Sequence, residues 1–351
     1  MSEHDFKIIN LVSGKGGTGK TLLAAVLAES LGSQDRSVFV IDLDIFVRGL
    51  TSLLFFHREG VVNLIKEDEL SIYDILKNRK NVNILKSKEI ASYQYRSFYI
   101  CPSVPRIDSQ LAFKKLLPES VDEYRMFLKI LFDKIPQNKF KFVILDSRSG
   151  YDDFVSAAYS LSDLSICVQE DDDISDITAD NLIKQLKSDS DNILFRVINK
   201  GRDIKNVTDL EEIDKIGVDY LGKIPFDMDV MKSFGKPSFW DDISKSLYKY
   251  ALLKIWNRLS KKMRFDKELY ISRISPFASN KYESKLGLLT LRDRILFAYG
   301  LILGFLGLIY GLFGTKLVYN FRENPIQLVS TIIGISGLTI ALFSLFRSMR
   351  R

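Results

Sequence analysis

A glycine-rich loop between an apolar strand and a helix, close to the start of the chain, limits the possible folds more than any other feature. Residues 8–12 are apolar enough for a buried strand, and residues 21–31 continue as a helix. The glycines between them let the backbone curl with its N–H groups pointing inward, next to the N-terminus of the helix. A loop of this kind is suited to binding a polyphosphate.

The spacing of residues in this loop fits a nucleotide-binding pattern. Gly14 begins the sequence Gly-x-x-x-x-Gly-Lys-Thr, which ends in Gly19, Lys20 and Thr21. We expect Lys20 to contact the β- and γ-phosphates and the Thr21 hydroxyl to ligate Mg²⁺. The other loop residues expected to bind the nucleotide are Gly16, Gly17, Thr18 and Leu22. A glycine-rich turn without a ligand is the alternative, and the flanking strand and helix argue against it.

An additional lysine, Lys15, extends the pattern to Lys-Gly-Gly-Thr-Gly-Lys-Thr. This run resembles the deviant Walker A signature of the MinD/ParA family of P-loop ATPases. The resemblance implies that Lys15 reaches across a dimer interface to the ATP bound by the partner subunit, and so acts with the catalytic residues. A solvated charge on the loop is the alternative interpretation of Lys15.

Two further apolar runs lead into carboxylates. One precedes Asp42 and Asp44, and the other ends in Asp146, four residues before Gly150. Strand-end aspartates are more often helix caps than metal ligands, but their spacing after the glycine-rich loop favours a functional role. By resemblance, Asp42 and Asp146 support Mg²⁺ and its water shell, and Asp44 orients or deprotonates the attacking water. The resemblance also implies that the Gly150 amide senses the γ-phosphate.

The match to the family extends through about residue 260. Asn199 ends an apolar run and resembles the family residue whose side chain binds adenine, although it could also be a turn residue. Pro225 and Phe226 resemble the loop that closes over the base. Arg148 departs from the small residue or proline usual at its position. A phosphate-sensing or partner-contacting side chain is one interpretation, but a surface salt bridge is the simpler explanation.

Strands alternate with helical segments, which predicts an α/β fold with a doubly wound, mostly parallel sheet, as in P-loop NTPases. The predicted helices include residues 122–135 and 178–187. The acidic run 170–173 is most simply a solvated loop at a strand end. Residues 48–106 match no element clearly, and we consider them a candidate surface for binding a partner.

The C-terminal part of the chain has the hydropathy of a membrane hairpin. Residues 295–315 and 326–346 carry no charge, and each would form a helix about 31 Å long, close to the ~30 Å hydrocarbon core. Buried helices of an accessory domain are the alternative, but such helices normally keep a polar stripe. Small residues recur in both segments at similar steps, which favours close packing. We therefore predict two transmembrane helices after the α/β domain.

The predicted organisation is an ATPase domain (1–263), a basic linker (264–294), the hairpin (295–346) and a basic tail (347–351). The net charge of +6 comes from the C-terminal part, because residues 261–351 carry 14 basic and 5 acidic side chains. The rest of the chain is slightly acidic, so no nucleic-acid partner is predicted. Lysine and arginine are rarer between the two spans than on either side of them. This places the ATPase domain and both termini in the cytoplasm, at the inner membrane.

The scarcity of cysteine and histidine excludes several classes of site. Two cysteines and two histidines provide neither a disulfide framework nor the ligand cluster of a zinc site. No Ser/His/Asp or Cys/His arrangement suggests nucleophilic catalysis.

The resemblance implies ATP and Mg²⁺ as cofactors and an ATP-dependent homodimer or higher oligomer. The predicted function is that of a membrane-anchored ATPase switch, which recruits or controls an unidentified protein partner at the inner membrane. One alternative is a membrane effector, for example in phage defence, whose hairpins are assembled by the ATPase. Another is a tyrosine-kinase-like regulator of polysaccharide export, although the tail lacks tyrosines. The third alternative is a non-hydrolysing scaffold. The presence of Lys20, Thr21, Asp44 and Asp146 argues against it.

Overall fold

The computed structural model describes five stretches of the chain: residues 4–35, 37–55, 63–106, 116–201 and 216–265. The predicted transmembrane spans, 295–315 and 326–346, lie outside the described residues, as do the basic tail and residues 266–294 of the linker. Within those five stretches, no helix has both the length and the apolar character needed to cross a membrane.

Strands and helices alternate along most of the chain. In chain order they are β1 (Lys7–Ser13), α1 (Lys20–Asp35), β2 (Val38–Asp42), α2 (Gly49–Phe55), β3 (Glu69–Leu70), α3 (Ile72–Lys77), α4 (Val82–Ser87), β4 (Glu89–Ile90), β5 (Tyr93–Tyr95), β6 (Phe98–Cys101), α5 (Val121–Asp133), β7 (Phe142–Ser149), α6 (Asp153–Leu161), β8 (Leu164–Glu170), α7 (Asp173–Asp189), β9 (Leu194–Gly201), β10 (Asp219–Pro225), α8 (Met228–Ser233), α9 (Phe239–Ser244) and α10 (Leu247–Met263).

A single large sheet forms the centre of this domain. Its strands lie in the order β10-β9-β8-β1-β7-β2-β6-β5, and all neighbours are parallel except the antiparallel pair β5 and β6. Because β1 lies between β7 and β8, the loop after β1 is flanked by the carboxyl ends of both. The predicted α/β fold with a mostly parallel sheet is confirmed.

Helices cover both faces of the sheet. Side chains on a strand alternate between the two faces, and the central strands have apolar side chains on both. On β1, Ile9 and Leu11 belong to a core cluster with α1 and α10, whereas Ile8 belongs to a second cluster with α5 and α6. On β2, Val40 and Ile41 divide in the same way. The central strands are therefore buried on both sides, and their ends are fixed firmly at the edge where ligands bind in such folds.

Several elements differ from their predicted bounds, and two of these differences lie beside the glycine-rich loop or in the strand predicted to end at Asp146. The strand predicted to end at Asp146 continues to Ser149, because Ser149 pairs with Ser13 of β1 beyond an irregularity in the register. Helix α7 begins at Asp173 rather than at residue 178, because the Asp172 side chain caps it by accepting from the Ser175 amide. Of residues 170–173, which were predicted to form a solvated loop at a strand end, Glu170 ends β8 and Asp173 begins α7, whereas residues 171 and 172 form the loop between them.

Residues 48–106, which the sequence left unassigned, contain short elements. Strands β3 and β4 pair only with each other, whereas β5 and β6 extend the large sheet at its edge. Elements of two to four residues are too short to show a hydrophobic period, so the sequence pattern did not reveal them.

Candidate functional site

The loop between β1 and α1 borders a cavity of about 340 Å³, a size suited to a small-molecule ligand. Most residues predicted to bind nucleotide line this cavity, although they come from distant parts of the chain. They are Gly16, Gly17, Thr18, Gly19, Lys20, Thr21, Leu22, Asp44, Asn199, Pro225 and Phe226. The predicted residues that do not line it are Gly14, Lys15, Asp42, Asp146 and Gly150.

Glycines shape the loop at positions where other residues would be strained. Gly17 and Gly19 have φ angles of +83° and +86°, in the left-handed region that favours glycine. A Cβ atom on Gly19 would also lie 2.2 Å from Nδ2 of Asn199. That Nδ2 atom donates a hydrogen bond to the Thr18 carbonyl at 2.7 Å. Asn199 therefore supports the loop directly, whatever base contact it makes.

Gly14 lies against the backbone of α7. A Cβ atom there would lie 2.3 Å from the carbonyl oxygen of Thr178, so either the loop or the helix would have to move. We expect Gly14→Ala to destabilise the nucleotide-free protein by about 1–3 kcal/mol, as overpacking substitutions do. Thermal unfolding measures this loss. Gly16→Ala is the matched control, since nothing lies within 4 Å of its Cβ position, and equal melting temperatures for the two variants would contradict the close approach.

A buried ion pair joins the loop to β7. Lys20 Nζ lies 2.8 Å from Asp146 Oδ1, and the Thr21 hydroxyl donates to Asp146 Oδ2 at 2.8 Å. The hydroxyl and the carboxylate are both hard oxygen ligands of the type that Mg²⁺ prefers. Across the described stretches, no group of three or more His, Cys, Asp and Glu side chains could hold a metal ion. Mg²⁺ is commonly held by one or two protein groups, by phosphate and by water.

Asp42 is fully buried and organises the turn after β2. Its Oδ2 accepts hydrogen bonds from the amide and the hydroxyl of Thr51 at 2.8 and 2.7 Å, and its Oδ1 accepts from the Asp44 amide at 3.1 Å. Burial and, next, the charge of Asp146 raise the pKa of Asp42 to about 7. Both carboxylate oxygens of Asp42 are thus already bound within the chain, and its predicted support of Mg²⁺ stays a prediction.

Asp44 lies on a short loop that reaches the cavity. Its Oδ1 accepts a hydrogen bond from the Val47 amide at 3.1 Å, which holds the carboxylate within the turn. The neighbouring Phe46 ring lies 4.4 Å from the guanidinium of Arg148, which pairs with Asp152 at 2.7 Å. The predicted surface salt bridge of Arg148 is confirmed, and its stacking on Phe46 links the loops after β2 and β7.

Gly150 does not present its amide to the cavity. The amide donates to the Ser13 carbonyl oxygen at 2.8 Å, and Gly150 has a left-handed φ of +83°. The predicted contact with a γ-phosphate therefore requires this hydrogen bond to break. Ser149, one residue earlier, lines the cavity instead.

Lys15 is paired within its own chain. Its Nζ lies 2.8 Å from Glu170 Oε2 and 3.1 Å from Asp172 Oδ2. Lys200 pairs with the same Glu170 and donates to the Gly17 carbonyl oxygen at 2.6 Å. The hydrogen bond to Glu170 is the main cause that raises the pKa of Lys15. Lys15 is thus one of two lysines that fasten the glycine-rich loop to the end of β8, rather than an unpaired solvated charge.

A family model described as the CobQ/CobB/MinD/ParA nucleotide binding domain matches residues 9–237, which is more than half of the chain. The chain belongs to this family. The matched range runs from β1 into the residues that follow α8, so it includes the glycine-rich loop, both carboxylate strands and Asn199. The family resemblance read from the sequence is therefore confirmed for the α/β domain.

The relatives of this chain include proteins named MinD. The chloroplastic septum site-determining protein minD homolog of Arabidopsis thaliana is 26% identical over 237 residues, covering 65% of this chain and 66% of the homolog. MinD of Escherichia coli (strain K12) is 25% identical over 255 residues, covering 67% and 84%. The structure of Pyrococcus horikoshii MinD complexed with Mg-ADP has a TM-score of 0.52 at 21% identity, covering 74% and 97%. This last likeness supports the fold.

Several cavity residues of this nucleotide-binding domain were not foreseen from the sequence: Val47, Gly49, Ser149, Lys200, Asp227, Val230, Met231, Phe234 and Tyr248. Most of them belong to α8, its flanking residues and α10, where no motif marks them. One signal was available for Asp227, which comes two residues after Pro225 and directly before a helix, a typical N-cap position. Its side chain caps α8 by accepting from two backbone amides.

Proposed function

We propose that this chain is a Mg²⁺-dependent ATPase that acts as a switch at the inner membrane through ATP-dependent dimerisation. The observation that carries the proposal is the convergence of Lys20 and Thr21 on the buried carboxylate of Asp146, beneath a glycine-rich loop that borders the cavity. A cation, a hydroxyl and a carboxylate at this spacing are the groups that phosphoryl transfer to water requires around a nucleotide.

ATP with Mg²⁺ fits the residues of this site. The N–H groups of the loop and Lys20 suit the phosphates, and Thr21 and Asp146 suit the metal ion. The P. horikoshii MinD structure with Mg-ADP supports the same choice. When bound, Mg²⁺ supplies charge that stabilises the transferred phosphoryl group. Asp44, held at the cavity wall by the Val47 amide, orients the attacking water or accepts its proton.

Exposed apolar side chains near the cavity support association with another protein surface. Val47 is 73% exposed on the Asp44 loop, and Ile174 and Ile177 are 69% and 61% exposed on α7. Phe226 is also exposed beside the cavity. Exposed apolar residues mark interaction sites when they form a contiguous patch. We assign them to an ATP-dependent homodimer or higher oligomer and to a protein partner that the switch recruits or controls.

An ATPase assay on the full-length protein in detergent tests this function. We expect phosphate release that requires Mg²⁺ and stops when the metal is chelated, because the metal ion supplies charge that stabilises the transferred phosphoryl group. Size measurements should show a larger species in ATP than in ADP. A protein that binds no ATP under these conditions would refute the proposal, whereas binding without hydrolysis would favour the non-hydrolysing scaffold.

The membrane part of the proposal predicts a defined topology. We expect the full chain to fractionate with inner membranes and to need detergent for extraction, because residues 295–315 and 326–346 have the hydropathy of two membrane spans. A C-terminal tag should resist protease added to intact spheroplasts and be cleaved in inverted vesicles. Cleavage of the tag from outside intact spheroplasts would place the C-terminus on the wrong side and contradict this topology.

A further inference from the structure

A second cavity, of about 280 Å³, lies beside β5, the edge strand of the large sheet. It shares no lining residue with the cavity at the glycine-rich loop, which we call the nucleotide cavity. Much of its wall is apolar, with Leu53, Leu54 and Phe239. Two cations, Arg96 and Lys236, also line it, whereas none of its described lining residues is acidic. A ligand that fits such a cavity has an apolar part and a negative charge.

Arg96 is held by two contacts that leave part of its guanidinium group free. Its Nε donates to Glu29 Oε1 at 3.0 Å, and its guanidinium lies 5.3 Å from the centre of the Trp240 ring. The terminal nitrogens Nη1 and Nη2 have no hydrogen-bond partner in the described part of the chain. Two adjacent N–H groups on a fixed plane suit bidentate binding of a phosphate or carboxylate. The Tyr95 hydroxyl accepts from Trp240 Nε1 at 3.0 Å, so its own proton can be donated to a ligand in the cavity.

Lys236 supplies a charge that no carboxylate neutralises. It is exposed in the turn between α8 and α9, and its ammonium group forms no hydrogen bond or ion pair with any other described residue. Glu29 pairs with Arg96, but it also acts on Lys249 of α10. Burial lowers the pKa of Lys249, and the charges of Glu29 and Arg96 oppose each other there. Glu29 thus interacts with two cations, and Lys236 leaves the cavity with an excess of positive charge.

The walls of the second cavity continue into the nucleotide cavity at two places. Helix α2 begins at Gly49, which lines the nucleotide cavity, and its Leu53 lines the second one. After α8, Phe234 lines the nucleotide cavity and the next residue, Gly235, lines the second. The Phe234 ring also packs edge-on against Phe239, with 5.8 Å between the ring centres. A ligand that orders one cavity therefore restricts the walls of the other.

We propose that the second cavity is an effector site for a small organic anion. Arg96, Lys236 and Tyr95 bind its phosphate or carboxylate group, and the apolar wall binds the remainder. The occupied site orders α2 and the chain between α8 and α9, so less conformational entropy is lost when ATP binds. ATP and the anion therefore strengthen each other's binding by the same factor. This coupling rests on the proposed nucleotide-binding function, whereas the binding of the anion does not.

Phenyl phosphate is a suitable probe, and Trp240 is its reporter. The chain has two tryptophans, and the other, Trp256, is 1% exposed within a core cluster. Phenyl phosphate should change the tryptophan fluorescence of the full-length protein in detergent, and Trp240→Phe should lose this change. Inorganic phosphate and phenol should bind about tenfold more weakly or worse, because each lacks one half of the chemistry that the cavity recognises. Equal affinity for phenol would contradict recognition of the anion.

Single substitutions locate the probe. Arg96→Gln and Lys236→Gln should each weaken its binding about tenfold, as loss of a hydrogen bond to a charged group does. Lys232→Gln is the matched control and should change nothing, because this exposed lysine of α8 lines neither cavity. Lys20→Ala should bind the probe as the wild-type protein does. Loss of probe binding in Lys20→Ala, or unchanged affinity in both glutamine variants, would overturn the assignment.

Equilibrium binding of ATP in the presence and absence of the probe tests the effector role. Saturating phenyl phosphate should raise ATP affinity about fivefold in the wild-type protein and leave it unchanged in Lys236→Gln. Saturating ATP should raise the affinity for phenyl phosphate by the same factor. Unchanged or weakened ATP binding in the presence of bound probe would refute the effector role. A protein that binds phenyl phosphate in this cavity but binds no ATP would contradict the proposed function and not the anion site.

Discussion

Replacing Lys20 with alanine should abolish ATP binding, whereas replacing Asp44 with alanine should leave binding intact and abolish hydrolysis. Lys20 is buried at the base of the loop and is the side-chain cation there that pairs with Asp146. Its loss removes the charge that faces the phosphates, and we expect affinity to fall about 100-fold or more. Asp44 accepts a hydrogen bond from the Val47 amide in its own loop and lines the cavity. Its loss should therefore lower kcat by ~10²–10⁴-fold, the usual contribution of a general base.

Binding measured without turnover and phosphate release measured under saturation separate these two effects. Lys7→Ala is the matched control for loss of a lysine, because Lys7 forms an exposed ion pair with Asp163 away from the cavity. Exposed pairs contribute little, so this control should bind and hydrolyse ATP normally. Comparable ATP affinity in the wild-type protein and in Lys20→Ala would refute the nucleotide assignment, provided that thermal melting shows both proteins to be folded.

Replacing Lys15 with alanine should spare nucleotide binding yet weaken ATP-dependent association. Lys15 does not line the cavity of its own chain, and its Nζ is held by Glu170 and Asp172. To reach the ATP of a partner subunit, it must exchange these carboxylates for phosphate oxygens. We expect self-association in ATP to weaken about tenfold or more, and association in ADP to change little.

The carboxylates that hold Lys15 provide the converse test. The double variant Glu170→Gln and Asp172→Asn should release Lys15 and strengthen ATP-dependent association, while asparagine keeps the cap of α7. Light scattering of the full-length protein, with Asp44→Ala to retain ATP, measures both changes. If the Lys15→Ala protein associates in ATP as tightly as its parent, Lys15 acts only as a loop charge. The dimer mechanism would then lose its main support in this chain.

The sequence was sufficient for the parts of the site that lie close together along the chain. The glycine-rich loop predicted β1, α1 and the positions of Lys20 and Thr21 beside the cavity, since strand, turn and helix occur within one short stretch. The strands before Asp42 and Asp146 were found because buried parallel strands are continuous apolar runs. The family motif placed Asp146 and Lys20 in one site, although 126 residues separate them, but their direct ion pair was not predicted.

The sequence failed where a role depends on contacts between distant residues. Asp172, one partner of Lys15, lies 157 residues further along the chain. An acidic run has the same sequence whether its side chains are solvated or paired with lysines. Tyr248 occupies an ordinary helical position, and nothing in its neighbours indicates that its hydroxyl is buried beside a cavity. Asp42 resembled a metal ligand, but its bonds to Thr51 could be seen only in the folded chain.

The close approach of Gly14 to Thr178 makes the phosphate loop and helix α7 one mechanical unit. Without a side chain between them, the loop backbone and the helix backbone are in direct contact, and neither can move towards the other. The outer side of the same helix exposes Ile174 and Ile177. A protein that binds Ile174 and Ile177 and displaces α7 would therefore displace Gly14, the first glycine of the loop. Conversely, a phosphate that moves the loop would move the surface to which such a protein binds. We therefore expect binding at either place to change the affinity at the other, across the width of a single helix.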